Sequence, residues 1–176
     1  MKNLEPSMLW SFFHDITQIP RPSKKEEKMI DYLIQFAKSQ HLEHQVDKAG
    51  NVLISKPATI GYENSAGVIL QAHIDMVCEK NSDTVFNFET DPIQAYIDND
   101  WIRARGTTLG GDNGIGMSMM LTVLASSDIK HPALECLFTV DEETGLTGAF
   151  ALDDKMLKGS VLINLDSEDD VVIFIG

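Results

Sequence analysis

Residues 68–75 read VILQAHID and predict a short buried strand that runs out into a loop, with a His-x-Asp at its carboxyl end. Side chains at positions i and i+2 of an extended chain share a face, so His73 and Asp75 can point at one spot. A neutral imidazole there can bind a metal, while the carboxylate holds the other ring N–H. The alternative is a core histidine satisfied by a neighbouring acid, and taken alone the pair favours that alternative.

Helix and strand patterns alternate on both sides of this strand. Apolar periodicity predicts helices at about 6–17, 24–39, 114–125 and 148–157. Further strands are predicted at 44–47, 52–56, 94–98, 101–104, 134–140, 161–165 and 171–175, the first two and the next two forming hairpins. Interleaved strands and helices indicate an α/β fold, with a mixed β-sheet flanked by helices.

The connection between the first two helices carries two local signals. Residues 19–22 (IPRP) break the first helix, because proline removes a hydrogen-bond donor and restricts its neighbour. Ser23 and Glu26 then have the spacing of a capping box, which predicts that their side chains begin the second helix. Both helices are interpreted as packing elements.

Composition narrows the functional classes. The chain has 176 residues, near the usual size of one domain, and 14 Lys and Arg against 27 Asp and Glu give a formal net charge of −13. Such an excess of acids argues against nucleic-acid or anionic-membrane partners, and it suits cation binding if some acids converge.

The cellular compartment is predicted from what the sequence lacks. Cys78 and Cys136 lie far apart without a CxxC motif, so they are interpreted as free thiols in a reducing compartment. The N-terminus has no signal-peptide core, and no apolar run approaches membrane-spanning length. We therefore expect a cytoplasmic protein.

Acidic residues recur where other strands end or a helix begins, at Asp112, Glu142, Glu143 and Asp166. Alone, Asp112 is most simply a helix N-cap and the others are solvated turns. The glycine-rich residues 109–116 match a phosphate loop only weakly, because no Lys-Ser/Thr follows. Sites in open α/β sheets lie beyond the carboxyl ends of strands, and carboxylates with a histidine suit a pair of zinc ions. In combination these positions favour a metal site.

Four motifs then carry a resemblance: QAHIDMV (71–77), ARGTTLGGDNGIG (104–116), DEETG (141–145) and LINLDSE (162–168). They resemble the zinc metallopeptidase superfamily of aminoacylases and carboxypeptidases, and most closely the bacterial aminoacyl-histidine (Xaa-His) dipeptidases of the peptidase D subgroup. KPATIGYEN (56–64) and NSDTVFNFETDPI (81–93) resemble the same subgroup. The resemblance runs over essentially the whole chain.

The resemblance implies hydrolysis of small peptides at two zinc ions, with Mn²⁺ or Co²⁺ as possible substitutes. The implied metal ligands are His73, Asp112, Glu143 and Asp166. Among them, Asp112 bridges both ions and is followed by a cis peptide bond to Asn113. Asp75 orients the ring of His73, and Glu142 acts as the general base.

One departure from the family limits what this chain is expected to do alone. The family has a further histidine ligand late in its sequence, a lid or dimerisation domain, and later sheet strands; none occurs here, and His131 lies in no matching motif. Residues 1–176 are therefore predicted to be the N-terminal segment of the catalytic domain, with an exposed sheet edge. They are either a fragment of a longer homodimeric enzyme or a natural truncation, and we expect them to be inactive alone. A tripeptidase, another dipeptidase, an aminoacylase and a non-catalytic remnant are the alternatives.

Overall fold

A computed structural model describes residues 4–166, so the predicted strand at 171–175 and the last two residues of LINLDSE lie outside the described residues. The helices are α1 (Ser7–Thr17), α2 (Glu27–Ser39), α3 (Gly111–Ala125) and α4 (Thr147–Phe150), with a 3₁₀ turn at Asp154–Met156. The strands are β1 (Glu43–Val46), β2 (Val52–Lys56), β3 (Val68–His73), β4 (Ala95–Asp98), β5 (Trp101–Ala104), β6 (Leu134–Thr139) and β7 (Val161–Asn164). Both predicted hairpins are present, as β1–β2 and β4–β5.

The main sheet has the strand order β1-β2-β6-β3-β7. β1, β2 and β6 pair antiparallel, whereas β3 runs parallel to both β6 and β7. Because these three strands are parallel, their carboxyl ends share one edge of the sheet. The mixed α/β architecture predicted from the sequence is confirmed.

The core lies between this sheet and helices α1, α2 and α3. Its buried side chains come from the apolar stripes of the helices and the inner face of the sheet, and include Ile16, Met29, Leu33, Ala72, Met117, Leu121 and Phe138. Every residue of β6 is buried, as befits its central position. At the other extreme, β7 pairs with β3 alone among the described residues, and all four of its residues are exposed.

The predicted capping box is wrong. Helix α2 begins at Glu27, and the N-cap residue Glu26 makes no side-chain capping bond. A turn closed by the amide of Lys25 and the carbonyl of Pro22 (2.9 Å) precedes the helix, with Lys24 in the left-handed region (φ 68°). Ser23 and Glu26 instead direct their side chains to residues that follow β3 and β6. Tertiary partners have replaced the local capping bonds.

The helix predicted at 148–157 is also divided. α4 ends at Phe150, and a separate 3₁₀ turn follows. The side chain of Asp153 accepts a hydrogen bond from the amide of Lys155 (3.2 Å), an alternative to helical bonding that short acidic side chains commonly offer.

Cys78 and Cys136 are free thiols, as predicted. Within residues 4–166, none of the helices combines the length and the apolar character needed to cross a bilayer.

Candidate metal centre

The edge formed by the carboxyl ends of β3, β6 and β7 carries the residues singled out in the sequence. His73 is the last residue of β3, and its Nε2 lies 2.9 Å from Asp112 Oδ1 and 3.8 Å from Asp166 Oδ2. A side-chain oxygen of Glu143 joins them, since the donor atoms of His73, Asp112 and Glu143 all lie within 4.8 Å of one another. Three carboxylates that are far apart in the sequence therefore lie around the imidazole of His73.

The other ring nitrogen of His73 faces Asp75. Nδ1 lies 3.2 Å from Asp75 Oδ1, and both side chains are buried. The Asp75 carboxylate also accepts hydrogen bonds from the Ser23 hydroxyl (2.7 Å) and from the backbone amides of Glu142 (3.0 Å) and Glu143 (3.1 Å). Asp75 thus holds the histidine ring and also the turn that follows β6.

Electrostatics reinforce this pair. Burial favours the uncharged form of each group, but the hydrogen bonds outweigh it in both cases. They raise the pKa of His73 to about 9, through Asp75 and Asp112. They lower the pKa of Asp75 to about 2, through His73, the two amides and Ser23. A pKa of about 9 favours the protonated ring at neutral pH in the metal-free protein, where the ring contacts Asp75 and Asp112.

Asp112 is not the N-cap that its position suggests. Gly110, with φ 68°, takes that place in α3, and no side chain makes a capping bond to it. Asp112 and Asn113 have non-helical dihedral angles and are joined by a cis peptide bond, as the resemblance implies. The buried Asn113 accepts a hydrogen bond from the amide of Gly116 (3.1 Å), so it performs the local turn-closing task. Asp112 is left to face His73.

Glu142 and Asp166 lie beside a cavity of about 220 Å³ whose other polar lining residues are Gln71, Thr139 and Asn164. Burial raises the pKa of Glu142, and the charges of Glu143 and Asp75 act in the same direction. Burial and the charge of Asp112 raise the pKa of Asp166 to about 6. Carboxylates are crowded here in the way that a bound cation would relieve.

Three supporting residues were missed in the sequence. The guanidinium of Arg21 donates to the carbonyl oxygens of Ile74 (2.9 Å), Asp75 (2.6 Å) and Gly110 (2.5 Å). Ser23 bonds Asp75, as above, and the carboxylate of Glu26 accepts from the amide of Asp141 (2.9 Å). The only signal for Ser23 and Glu26 was their capping-box spacing, which indicated a different partner. For Arg21 the signal was a charged residue between two prolines.

A second group of acids, Glu26, Asp75 and Asp141, is buried beneath the first. Its oxygens already have partners, because Glu26 accepts from the Asp141 amide and Asp141 accepts from the Thr144 hydroxyl (2.6 Å). Asp75 is bonded as described above. This group supports the residues at the sheet edge.

The chain is similar to known peptidases. The family model described as Peptidase family M20/M25/M40 matches residues 69–174. The cytosol non-specific dipeptidase of Escherichia coli is 49% identical over 176 residues, which are 100% of this chain and 36% of that protein. The aminoacylhistidine dipeptidase of Vibrio alginolyticus superposes with a TM-score of 0.94 at 54% identity, covering 96% of this chain and 34% of that one.

A more distant structure, the YXEP protein of Bacillus subtilis, is described as a dinuclear metal binding peptidase from the M20 family. It superposes with a TM-score of 0.56 at 17% identity over 89% of this chain and 41% of that one, which shows a shared fold. The chain spans about a third of the length of the E. coli and Vibrio relatives. The resemblance predicted from the motifs is confirmed at the level of the family: this chain belongs to peptidase family M20/M25/M40.

Proposed function

We propose that residues 1–176 are the N-terminal segment of the catalytic domain of a metal-dependent dipeptidase that cleaves Xaa-His dipeptides. The names of two relatives support this activity, one a non-specific dipeptidase and the other an aminoacylhistidine dipeptidase. The observation that carries the proposal is the grouping of Asp112, Glu143 and Asp166 around the imidazole of His73, whose Nδ1 is held by Asp75.

The donor set fits a zinc centre. One imidazole nitrogen and several carboxylate oxygens are ligands that zinc accepts, and Mn²⁺ and Co²⁺ bind similar sets. We infer that His73, Asp112, Glu143 and Asp166 would hold the metal. The remaining histidine ligand is proposed to come from elsewhere in the full-length protein.

When bound, the metal supplies Lewis acidity toward the scissile carbonyl and toward a water molecule. Glu142 takes the proton from that water and delivers it to the leaving amine. Burial raises the pKa of Glu142, which suits a group that must both accept and return a proton near neutral pH. Its backbone amide donates to Asp75, so the position of this base is tied to the orientation of the His73 ring.

The proposal extends to the substrate, the partners and the cellular location of the protein. The substrate is a small peptide, and the net charge of −13 opposes binding to nucleic acid or to an anionic membrane. We place the protein in the cytoplasm, the location in the name of its E. coli relative. A homodimer is proposed for the full-length enzyme.

The role of Glu142 provides the test. Replacing this residue in the full-length protein, as Glu142→Ala, should lower turnover of β-alanyl-histidine about 10²–10⁴-fold, the usual contribution of a general base. Zinc content should stay at the unmodified level, because Glu142 is not among the proposed ligands. Glu43→Gln, a change at an exposed position on β1, is the matched control and should leave both quantities unchanged. Near-normal turnover in Glu142→Ala would contradict the assignment.

A broader dipeptidase is the second candidate, because the E. coli relative is named non-specific. Comparing kcat/KM for Xaa-His dipeptides, dipeptides without histidine, tripeptides and N-acyl amino acids separates the candidates. A preference of less than about threefold between the two dipeptide sets would favour the non-specific enzyme, since that ratio is below 1 kcal/mol. Cleavage of tripeptides or N-acyl amino acids alone would favour a tripeptidase or an aminoacylase.

A further inference from the structure

Arg21 is among the largest side chains that are completely buried in this protein, and it belongs to the segment between α1 and α2. Within residues 4–166 it forms no ion pair with a carboxylate. Its hydrogen bonds go to main-chain carbonyl oxygens at Ile74, Asp75 and Gly110. A buried cation is costly unless such partners compensate it, so this arrangement needs an explanation beyond packing.

The three carbonyls belong to the two segments that build the centre of the site. Ile74 and Asp75 directly follow His73, whereas Gly110 lies two residues before Asp112. Nη1 donates to the first segment and Nη2 to the second. The planar fork of arginine has donors that diverge from one rigid group, so it fixes the distance between the segments that it joins.

The surrounding backbone is shaped to admit this guanidinium. A Cβ atom added at Gly110 would lie 2.5 Å from Arg21 Nη2, and one added at Gly114 would lie 3.0 Å from the same atom. Gly110 also has φ 68°, a region that side-chain-bearing residues rarely adopt. Two glycines of the LGGDNGIG motif therefore leave room for the guanidinium of Arg21.

We propose that Arg21 is a positioning residue of the metal centre, whose guanidinium holds the segment after His73 at a fixed distance from the loop that presents Asp112. This inference rests on the proposed function, because it assumes that His73 and Asp112 bind one metal. Arg21 touches neither metal nor substrate, and it acts through the two backbone segments. Its positive charge also lies near the carboxylates of Asp75, Asp112 and Glu143, which favours their convergence in the metal-free protein.

A purely structural role is the rival explanation, since removing any buried arginine destabilises a fold. The two explanations differ in what accompanies the loss of stability. A general loss of stability leaves the geometry of the folded site intact, whereas loss of a positioning residue changes metal affinity and coordination in molecules that remain folded.

The experiment uses the full-length protein with Arg21→Met, Arg21→Lys and Leu33→Ala. Leu33 is buried in the α2 stripe of the core, so its truncation provides a destabilised control outside the site. Zinc affinity is measured by competition with a chromophoric chelator. The visible spectrum with Co²⁺ in place of zinc reports the coordination of the metal. Thermal unfolding of the metal-free proteins ranks their stability. Arg21→Met should weaken zinc binding about 10–100-fold, the range for residues that orient ligands, and alter the cobalt spectrum. The zinc affinity of Arg21→Lys should lie between those of the unmodified protein and Arg21→Met, because one ammonium group cannot span both segments.

Leu33→Ala should bind zinc as the unmodified protein does, with an unchanged cobalt spectrum. If Arg21→Met behaves like Leu33→Ala, the inference is overturned. Should Arg21→Met fail to fold, Gly114→Ala serves instead, because it keeps the arginine but places a methyl group 3.0 Å from Nη2. Wild-type affinity and spectrum in Gly114→Ala would then overturn the inference. Absence of zinc binding in the unmodified protein would contradict the proposed function, which is a different outcome.

Discussion

The two sides of the candidate metal centre differ in how firmly the protein holds them. On the buried side, the side chains of His73 and Asp75 are 1% and 0% exposed, and Asp75 accepts three further hydrogen bonds. On the open side, the side chains of Asp112 and Asp166 are 70% and 31% exposed. The buried side is arranged before any metal arrives, whereas the open side consists of carboxylates that a cation would draw together. Preorganisation is therefore concentrated on the histidine.

The largest effect is expected from removing His73, the proposed ligand on the buried side. His73→Ala should reduce zinc affinity more than about 100-fold, beyond the range for residues that merely orient ligands, because an imidazole nitrogen is lost outright. Elemental analysis after dialysis should then find zinc at the background level in the full-length variant. If residues 1–176 organise the site alone, the same loss should be seen in the 176-residue chain. His44→Ala, on β1, is the matched control and should retain zinc. Zinc retained in His73→Ala would mean that the metal binds elsewhere.

A milder change keeps His73 and alters only Asp75, which orients its ring. Asp75→Asn has nearly the same shape but lacks the charge that favours a proton on Nδ1 of His73. Zinc affinity should fall about 10–100-fold, as for other carboxylates that orient a ligating histidine. Chelator competition measures this loss. An affinity within threefold of the unmodified protein would show that burial alone orients the ring.

The smallest step, about tenfold in zinc affinity for each pH unit, comes from pH, and the profile distinguishes the two sides by the protons that they bind. The pKa of His73 is raised to about 9, so below pH 9 zinc must displace a proton from the ring, and affinity should fall about tenfold per unit as pH decreases. The pKa of Asp166 is raised to about 6, so a second proton competes below pH 6 and the decline should steepen there. Competition titrations between pH 5 and 9 measure both slopes.

Asp166→Asn is the control for the open side. It should remove the extra steepness below pH 6 and leave the slope between pH 6 and 9 unchanged. A flat profile from pH 6 to 8 in the unmodified protein would contradict the protonated state of His73.

The sequence predicted the fold well where periodicity and turn chemistry were local. Both hairpins and strands β3, β6 and β7 lie close to their predicted positions, because alternating or continuous apolar runs are decided by burial alone. The family and the set of residues at the sheet edge came from motifs. The structure brings those residues together, and their roles as ligands and base remain predictions.

What the sequence could not reveal were partners distant in the chain. Ser23 and Glu26 have the spacing of a capping box, and only the folded sheet brings Asp75 and the amide of Asp141 within their reach. Likewise, nothing local in IPRP indicates that Arg21 spans the carbonyls of Asp75 and Gly110. A local motif lost to tertiary contacts in the first case, no local motif indicated the contacts in the second, and all of these contacts lead to the candidate site.

The strand order has a consequence for how the protein is made. β6 lies between β2 and β3 in the sheet, although it is synthesised after both. A chain leaving the ribosome thus carries His73 and Asp112 before it has the strands that deliver Glu143 and Asp166. Parallel pairing between distant segments forms slowly because loop-closure entropy must be overcome first. If the proposed residues are the ligands, a nascent chain offers a metal ion only part of them until β6 and β7 have paired with β3.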